Sequence, residues 1–150
     1  PTCLVLSRQS LPALENSSKE ALRGGYVLKR ESGNTADILI AATGSEVQVA
    51  LDAAEILEKE GASVRVVSMP CLDVFEEQEE GYKESVLPRE IKNRAVIEAG
   101  SSMSWGRYIG MDGCYITMDT FGASAPAAQL FEKYGFTGKN AVAVIRKKFL

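Results

Sequence analysis

The sequence has 150 residues, a length that suits one domain and leaves little room for two. Its hydrophobic (45%) and charged (25%) fractions are ordinary for a globular domain, and a net charge of -3 argues against nucleic acid or an anionic membrane as a partner. The absence of histidine excludes Ser-His-Asp and Cys-His catalysis and most zinc sites, and no apolar run reaches the ~18 residues that span a membrane.

The first predicted elements are short. Residues 2–7 form an apolar run that predicts a strand, and because the sequence begins inside this element, we expect the chain to be part of a longer protein. Residues 11–19 have the composition of a linker. Residues 26–29 predict a strand at the edge of a sheet, and residues 37–43, which are apolar on both faces, predict a central parallel strand.

A helix and another strand follow this central strand. Ser45 and Gln48 have the spacing of a capping box, which predicts that a helix begins at Ser45. Gly61 is predicted to end that helix in the left-handed conformation. Residues 63–68 predict the next strand, and a single acidic helix is expected over residues 73–87.

The last third of the chain also alternates between predicted strands and predicted helices. Residues 95–98 and 113–118 predict two strands, separated by a short helix over residues 101–108. Ser124 is predicted to cap the next helix and Thr137 the closing one, although the middle of that closing segment would also suit a strand. The whole pattern predicts an α/β fold, in which a five-stranded, mainly parallel sheet is covered by helices on both faces.

Ligands of such sheets lie beyond the carboxyl ends of the strands. The loop that contains Gly44 and Ser45 follows the central strand and opens a helix, whose free N–H groups suit an anion. This makes Gly44 and Ser45 a candidate anion site. The same residues also suit a plain tight turn with a helix cap, because neither a G-x-G-x-x-G nor a Walker pattern is present.

Four further features have both a functional and a structural interpretation, and the structural one is favoured for each. Glu98 would be a hydrogen-bonded carboxylate at the end of a strand. Trp105 and Tyr108 would pack in the core or at a subunit interface rather than form an aromatic platform. The glutamates within residues 76–80 suit a solvated helix face better than a metal site, and the basic residues 146–148 suit a last helical turn.

The three cysteines, Cys3, Cys71 and Cys114, are odd in number and far apart, and no C-x-x-C pair occurs. This spacing argues against a disulfide framework and against a zinc site. We expect buried, unreactive thiols in a cytoplasmic protein.

Eight short stretches along nearly the whole chain resemble transketolases. They cover residues 6–9, 23–28, 42–47, 66–70, 84–88, 96–100, 121–126 and 131–136. Each stretch alone is a weak signal, but their order and spacing together are specific to this family.

The resemblance implies a three-layer α/β/α domain with a mixed sheet, whose first strand at residues 26–29 runs antiparallel to the others. It implies that residues 1–23 are the last strand of a pyrimidine-binding domain plus a linker, and that residues 24–150 are the C-terminal domain. Transketolases transfer a two-carbon ketol unit between sugar phosphates, with thiamine diphosphate and Mg²⁺ or Ca²⁺ held between the other domains of a homodimer. This chain alone is then expected to bind no cofactor and to be inactive.

Arg8 is the one residue to which the resemblance gives a functional role. It matches the arginine that binds the terminal phosphate of the substrate in this family, and a guanidinium presents a rigid fork of donors to phosphate oxygens. We therefore expect Arg8 to bind substrate in the full-length protein, while no catalytic residue is expected in this chain.

Two alternatives stay open. One is a regulatory module that binds a small molecule or an anion at the loop of Gly44 and Ser45. The other is the equivalent domain of deoxyxylulose phosphate synthase, or of the beta subunit of the pyruvate dehydrogenase decarboxylase component, although residues 6–9 and 121–126 favour transketolase.

Overall fold

A computed structural model describes residues 3–150, and the strands of this region form a single sheet. The strands are β1 (Tyr26–Lys29), β2 (Ile38–Ala42), β3 (Val64–Ser68), β4 (Arg94–Ile97) and β5 (Cys114–Ile116). Their order across the sheet is β1-β3-β2-β4-β5. β1 is antiparallel to β3, and the other neighbours are parallel, so the predicted mixed five-stranded sheet is confirmed.

The α-helices of the described region cover the sheet. They are α1 (Glu46–Lys59), α2 (Leu72–Glu76), α3 (Glu80–Val86), α4 (Gly106–Ile109), α5 (Ala127–Tyr134) and α6 (Gly138–Phe149). Two 3-10 turns, Lys19–Arg23 and Ser102–Ser104, precede β1 and α4. The segment predicted as one helix over residues 101–108 is therefore a 3-10 turn followed by α4.

Successive side chains of β2 lie on opposite faces of the sheet, and they contribute to two separate clusters of the core. Ile38 and Ile40 pack in one cluster with α1 and α6, whereas Leu39 and Ala41 pack in the other with α2, α3 and α4. All four side chains are fully buried, because helices cover both faces of this strand. The arrangement is the predicted three-layer α/β/α fold.

Several predicted helix ends are confirmed. Gly61 and Gly135 follow α1 and α5 with φ angles of 96° and 79°, a region in which a side chain is strained. Thr137 caps α6, since its hydroxyl accepts a hydrogen bond from the Asn140 N–H at 3.3 Å. The closing segment, for which a strand had been an alternative, is helical throughout.

Two predicted helix caps are wrong. Ser45 occupies the position directly before α1, as predicted, but its side chain does not cap the helix, because its hydroxyl donates to the neighbouring Glu46 carboxylate instead of accepting from the backbone. Ser124 does not cap α5, which follows Pro126. The residue before a proline is disfavoured in the helical region, and this delays the start of α5.

The single acidic helix predicted over residues 73–87 is also wrong, because it is divided into α2 and α3. Like charges three or four residues apart destabilise a continuous helix, and Glu76 and Glu80 would have faced each other in this way. At the break, the Gln78 side chain donates to the Val74 carbonyl at 3.0 Å, and Glu79 is extended.

The N-terminal segment differs from its prediction as well. Residues 3–7 form no strand within the described region, because no neighbouring strand pairs with them, and residue 2 of that prediction lies outside the described residues. Cys3 and Cys71 are exposed, so the prediction of a buried thiol is wrong for both, whereas it is confirmed for Cys114.

Candidate functional site

The loops beyond the carboxyl ends of the parallel strands lie where ligands of such a sheet bind. Gly44 follows β2 with a φ angle of 57°, and Ser45 leads into α1. The loop after β4 is adjacent, since the Ala99 N–H donates to the Glu46 carboxylate at 3.1 Å. Glu46 connects these two loops, and it is a residue that the sequence analysis did not single out.

Glu46 determines the electrostatics at the start of α1. Its side chain is buried, and it accepts hydrogen bonds from Ala99 and from the Ser45 hydroxyl. A carboxylate is favourable near a helix N-terminus, because it complements the partial positive charge there. An anion bound at Gly44 and Ser45 would be repelled by this negative charge. The only sign of Glu46 in the sequence was its position as an acidic residue in the first turn of a predicted helix.

The N-terminal linker lies over the same loop. Leu11, Pro12 and Leu14 line a crevice of about 40 Å³ together with Gly44, Ser45 and Gln48. This volume holds only a few water molecules, so the linker leaves little room there for a sugar phosphate. Anion binding at Gly44 and Ser45 remains a prediction, and this geometry weighs against it.

Arg8 lies on the segment that precedes this linker. Its side chain is exposed, and none of the ion pairs among residues 3–150 includes it. Arg8 does not line the crevice at Gly44, but Leu11, only three residues further along, does. The Arg8 guanidinium is therefore accessible to an anion. Its substrate-binding role remains a prediction.

Glu98 and its neighbours have structural partners. The Trp105 indole N–H donates to the Glu98 carboxylate, and Trp105 is fully buried. Tyr108 is also buried and donates its hydroxyl to Glu76 at 2.7 Å. Burial is the larger cause, and the hydrogen bond to Glu76 the next, that raises the pKa of Tyr108 well above its usual range. The hydroxyl therefore stays protonated. These aromatic residues belong to the core, as the structural interpretation predicted.

Glu76 of α2 and Glu80 of α3 are paired with cations. Glu76 contacts Arg107 at 2.9 Å, and Glu80 contacts Lys83 at 2.6 Å. Within residues 3–150 no group of three or more histidine, cysteine, aspartate or glutamate side chains is placed to hold a metal ion.

Asp119 joins two loops at the same edge of the sheet. Its carboxylate accepts from the Ser102 N–H at 2.8 Å and from the Ser101 hydroxyl at 3.0 Å. These hydrogen bonds, with that from the Ser102 N–H the strongest, lower the pKa of Asp119. The sequence alone gave no signal for this contact, because the partners lie on separate strand ends.

Comparison with known proteins identifies the family. Residues 24–137 match the family model described as the transketolase-like TK C-terminal domain. The chain belongs to this family. Among curated relatives of this transketolase domain, the transketolase of Streptococcus pyogenes is 52% identical over 145 residues, which is 94% of this chain and 20% of that protein. Transketolase 2 of Escherichia coli is 49% identical over 150 residues, 98% of this chain and 22% of that protein.

Solved transketolases have the same fold. A Pichia stipitis transketolase in complex with sedoheptulose 7-phosphate superposes with a TM-score of 0.85 at 38% identity, over 95% of this chain and 20% of that one. The transketolase from Leishmania mexicana gives 0.83 at 35% identity, over 94% of this chain and 20% of that one. The chain thus spans about a fifth of the length of the relatives that it matches. The resemblance predicted from the sequence is confirmed.

Among residues 3–150, no helix is long and apolar enough to cross a membrane.

Proposed function

We propose that this chain is the C-terminal part of a transketolase, which transfers a two-carbon ketol unit between sugar phosphates. The observation that carries the proposal is the similarity to transketolases along nearly the whole chain, at 46–52% identity for several bacterial relatives. The Pichia stipitis relative was solved with a sugar phosphate bound, which supports the same substrate class here. The full-length protein would use thiamine diphosphate with Mg²⁺ or Ca²⁺.

The chain itself is proposed to be inactive. Thiamine diphosphate supplies carbanion stabilisation in the reaction, and among the described residues no group of three or more histidine, cysteine, aspartate or glutamate side chains could hold its metal. Its binding residues would lie on the remaining polypeptide, with residues 1–23 belonging to the preceding domain and linker and residues 24–150 to the C-terminal domain. The family match that begins at Gly24 supports this division. A reducing cytoplasm would suit the three free thiols.

An interface role for the domain is supported by its exposed apolar side chains. Phe121, in the loop after β5, is 100% exposed, and Met103, in the 3-10 turn after β4, is 88% exposed. Leu4, Val5 and Leu6, on the N-terminal segment, are 79–92% exposed. Large contiguous patches of exposed apolar side chains mark protein-protein contacts. We propose that the preceding domains, and the second subunit of a homodimer, cover this surface.

Arg8 is proposed to bind the terminal phosphate of the substrate. Replacing Arg8 with alanine in the full-length enzyme should raise KM for an aldose phosphate roughly 10- to 100-fold, because a charge-assisted hydrogen bond contributes about 1.5–3 kcal/mol. KM for the corresponding aldose without phosphate should be unchanged.

Arg30→Ala is the matched control, since Arg30 is also exposed but lies at the end of β1. It should leave both KM values unchanged. An unaltered KM for the aldose phosphate in Arg8→Ala would remove the assignment.

The alternative of a regulatory anion-binding module is less well supported. The start of α1 already holds the Glu46 carboxylate, and the linker leaves only about 40 Å³ beside Gly44 and Ser45. Titration of the chain with sugar phosphates, followed by amide chemical shifts, would favour that alternative if shifts centred on Gly44.

A further inference from the structure

A cleft lies at the amino ends of β4 and β5. Its walls are the loop between α3 and β4 on one side, and α4 with the residues that follow it on the other. Because β2 and β4 are parallel, the cleft lies at the opposite edge of the sheet from Gly44 and Ser45. Its volume is about 510 Å³, a size that suits a small-molecule ligand.

Positive charge dominates the lining of this cleft. Four of its side chains are cationic, and Asp112 is the only carboxylate among the described residues that line it. We call the cleft lined by Arg89, Lys92, Arg94 and Arg107 the cationic cleft. Four cations and one carboxylate give an excess of three positive charges, although the whole chain has a net charge of -3. A cleft lined by one sign of charge concentrates ligands of the opposite sign.

Arg94 joins the two walls of the cationic cleft. Its guanidinium donates to the carbonyls of Ile91 at 2.9 Å, Leu87 at 3.1 Å and Pro88 at 2.6 Å on one wall. It also donates to the Tyr108 carbonyl at 2.7 Å on the other wall. Arg94 is half-buried, and none of the ion pairs among residues 3–150 includes it. The cleft therefore contains a fixed positive charge that carbonyl dipoles hold without a contacting carboxylate.

The two exposed arginines of the cleft have donors that their ion pairs do not use. Arg107 contacts Glu76 at 2.9 Å through Nη1, and Arg89 contacts Glu84 at 3.2 Å through Nε and Glu80 at 3.6 Å through Nη2. A guanidinium has five N–H donors, so both can bind a ligand without releasing these glutamates. The side chains of Arg89 and Arg107 are 80% and 68% exposed, and exposed ion pairs of this kind contribute little to stability.

We propose that the cationic cleft is a binding site for a phosphorylated small molecule of about the size of a mononucleotide. Arg89 and Arg107 would bind phosphate oxygens with their remaining donors, because the guanidinium fork matches phosphate geometry. Lys92 is exposed and belongs to none of the ion pairs in the described part of the chain, so it would bind the same group. The proposal does not depend on the proposed ketol transfer, in which these residues have no role.

The test measures binding of ADP by titration calorimetry. It uses the full-length protein saturated with thiamine diphosphate and Mg²⁺, so that the site of the cofactor is occupied. We expect ADP to bind, adenosine to bind at least about 10-fold more weakly, and the affinity for ADP to fall as salt is added. A lack of ADP binding, or equal affinities for ADP and adenosine, would overturn the proposal.

The double variant Lys92→Ala/Arg107→Ala removes two exposed cations of the cleft and leaves the Arg94 contacts in place. It should raise the Kd for ADP roughly 30-fold or more, because charge-assisted hydrogen bonds to the phosphates are lost. Arg30→Ala/Lys147→Ala is the matched control, since it removes the same charge from exposed positions at the end of β1 and in the last turn of α6. Equal changes in the two double variants would show a general attraction to the protein, which would contradict a specific site.

A variant of Met111 tests the cleft without removing any ion pair. Met111 lines the cleft and is 99% exposed, so its replacement leaves the core intact. Met111→Glu should raise the Kd for ADP several-fold, because it places a negative charge beside the phosphates. Met111→Gln has nearly the same shape without the charge and should retain the wild-type Kd. The same Kd in Met111→Glu as in Met111→Gln would count against the proposal.

Arg8→Ala separates the cationic cleft from the proposed phosphate role of Arg8. The Kd for ADP should be unchanged in Arg8→Ala, whatever happens to KM for the aldose phosphate. If Arg8→Ala abolished ADP binding while Lys92→Ala/Arg107→Ala retained it, ADP would bind at Arg8, and the cationic cleft would be overturned as a phosphate site.

Discussion

Burial distinguishes the three cysteine residues. Cys3 and Cys71 are exposed, whereas Cys114 begins β5 and is buried. Burial raises the pKa of the Cys114 thiol to about 11, and the nearby Lys148 offsets this only in part. Because the thiolate is the reactive form, Cys114 should be protected by both its low accessibility and its protonation.

We predict that iodoacetamide at pH 8 labels two of the three thiols of the native chain quickly, with Cys114 labelled only after unfolding. Mass spectrometry of the peptides at successive times measures each rate. Equal rates for Cys114 and Cys71 would contradict the burial of β5 under α6.

A buried ion pair joins the β1–β2 loop to the end of α3. Arg65, on β3, donates to both carboxylate oxygens of Glu31 and to the Ser85 carbonyl at 2.9 Å. Both charged side chains are at least 90% buried. The hydrogen bond from Arg65 is the main cause that lowers the pKa of Glu31 below its ordinary 4.5.

Glu31→Gln should lower the free energy of unfolding by about 3 kcal/mol, because it leaves the Arg65 charge buried without a partner. Since folding lowers the pKa of Glu31, its stabilisation is present above pH 4.5 and is lost as the pH falls through the lower folded value. Urea unfolding of both proteins between pH 7 and pH 3 measures this difference. If the difference in unfolding free energy between the two proteins stayed constant on acidification, the pairing of Glu31 with Arg65 would be contradicted.

At the scale of elements, two glycines end helical segments in different surroundings. Gly24 follows the first 3-10 turn with a φ angle of 82°, and a Cβ there would lie 2.4 Å from the Cys71 carbonyl oxygen and from the Phe75 nitrogen. Gly61 follows α1 with a φ angle of 96°, but open space surrounds it. Conformation restricts both positions, while close packing restricts only Gly24.

Gly61→Ala should therefore lower the free energy of unfolding by about 1 kcal/mol, the cost of the left-handed conformation alone. Gly24→Ala should cost about 3 kcal/mol or more, since the overlap with backbone atoms of α2 adds to the same conformational cost. Chemical denaturation of the two variants compares them directly. Equal losses would mean that the 3-10 turn does not pack against α2 as described.

The strands and helices also show how much of the fold could be predicted from the sequence. The central strand was predictable because residues 38–42 are apolar on both faces, and Gly61 and Gly135 because few other residues suit their backbone conformation. The caps at Ser45 and Ser124 were mispredicted because each depends on a neighbour: the Glu46 carboxylate takes the Ser45 hydroxyl, and Pro126 delays α5. The sequence pattern of a capping residue does not show whether a neighbouring residue prevents the cap from forming.

For the whole molecule, the resemblance identified Arg8, whereas physical reasoning on the sequence alone pointed to Gly44 and Ser45. The packing of Leu14 could not be predicted, because Leu14 meets the start of α1 only after the sheet has brought distant segments together. The described residues include exposed apolar side chains and the exposed Arg8 guanidinium, and the sequence contains no histidine.

The most direct test is an assay of ketol transfer by the purified chain of 150 residues. The chain is mixed with thiamine diphosphate, Mg²⁺, a ketose phosphate donor and an aldose phosphate acceptor, and the full-length protein is assayed in parallel. We predict product formation with the full-length protein and none above the protein-free control with the chain alone. Turnover by the chain alone would contradict the account.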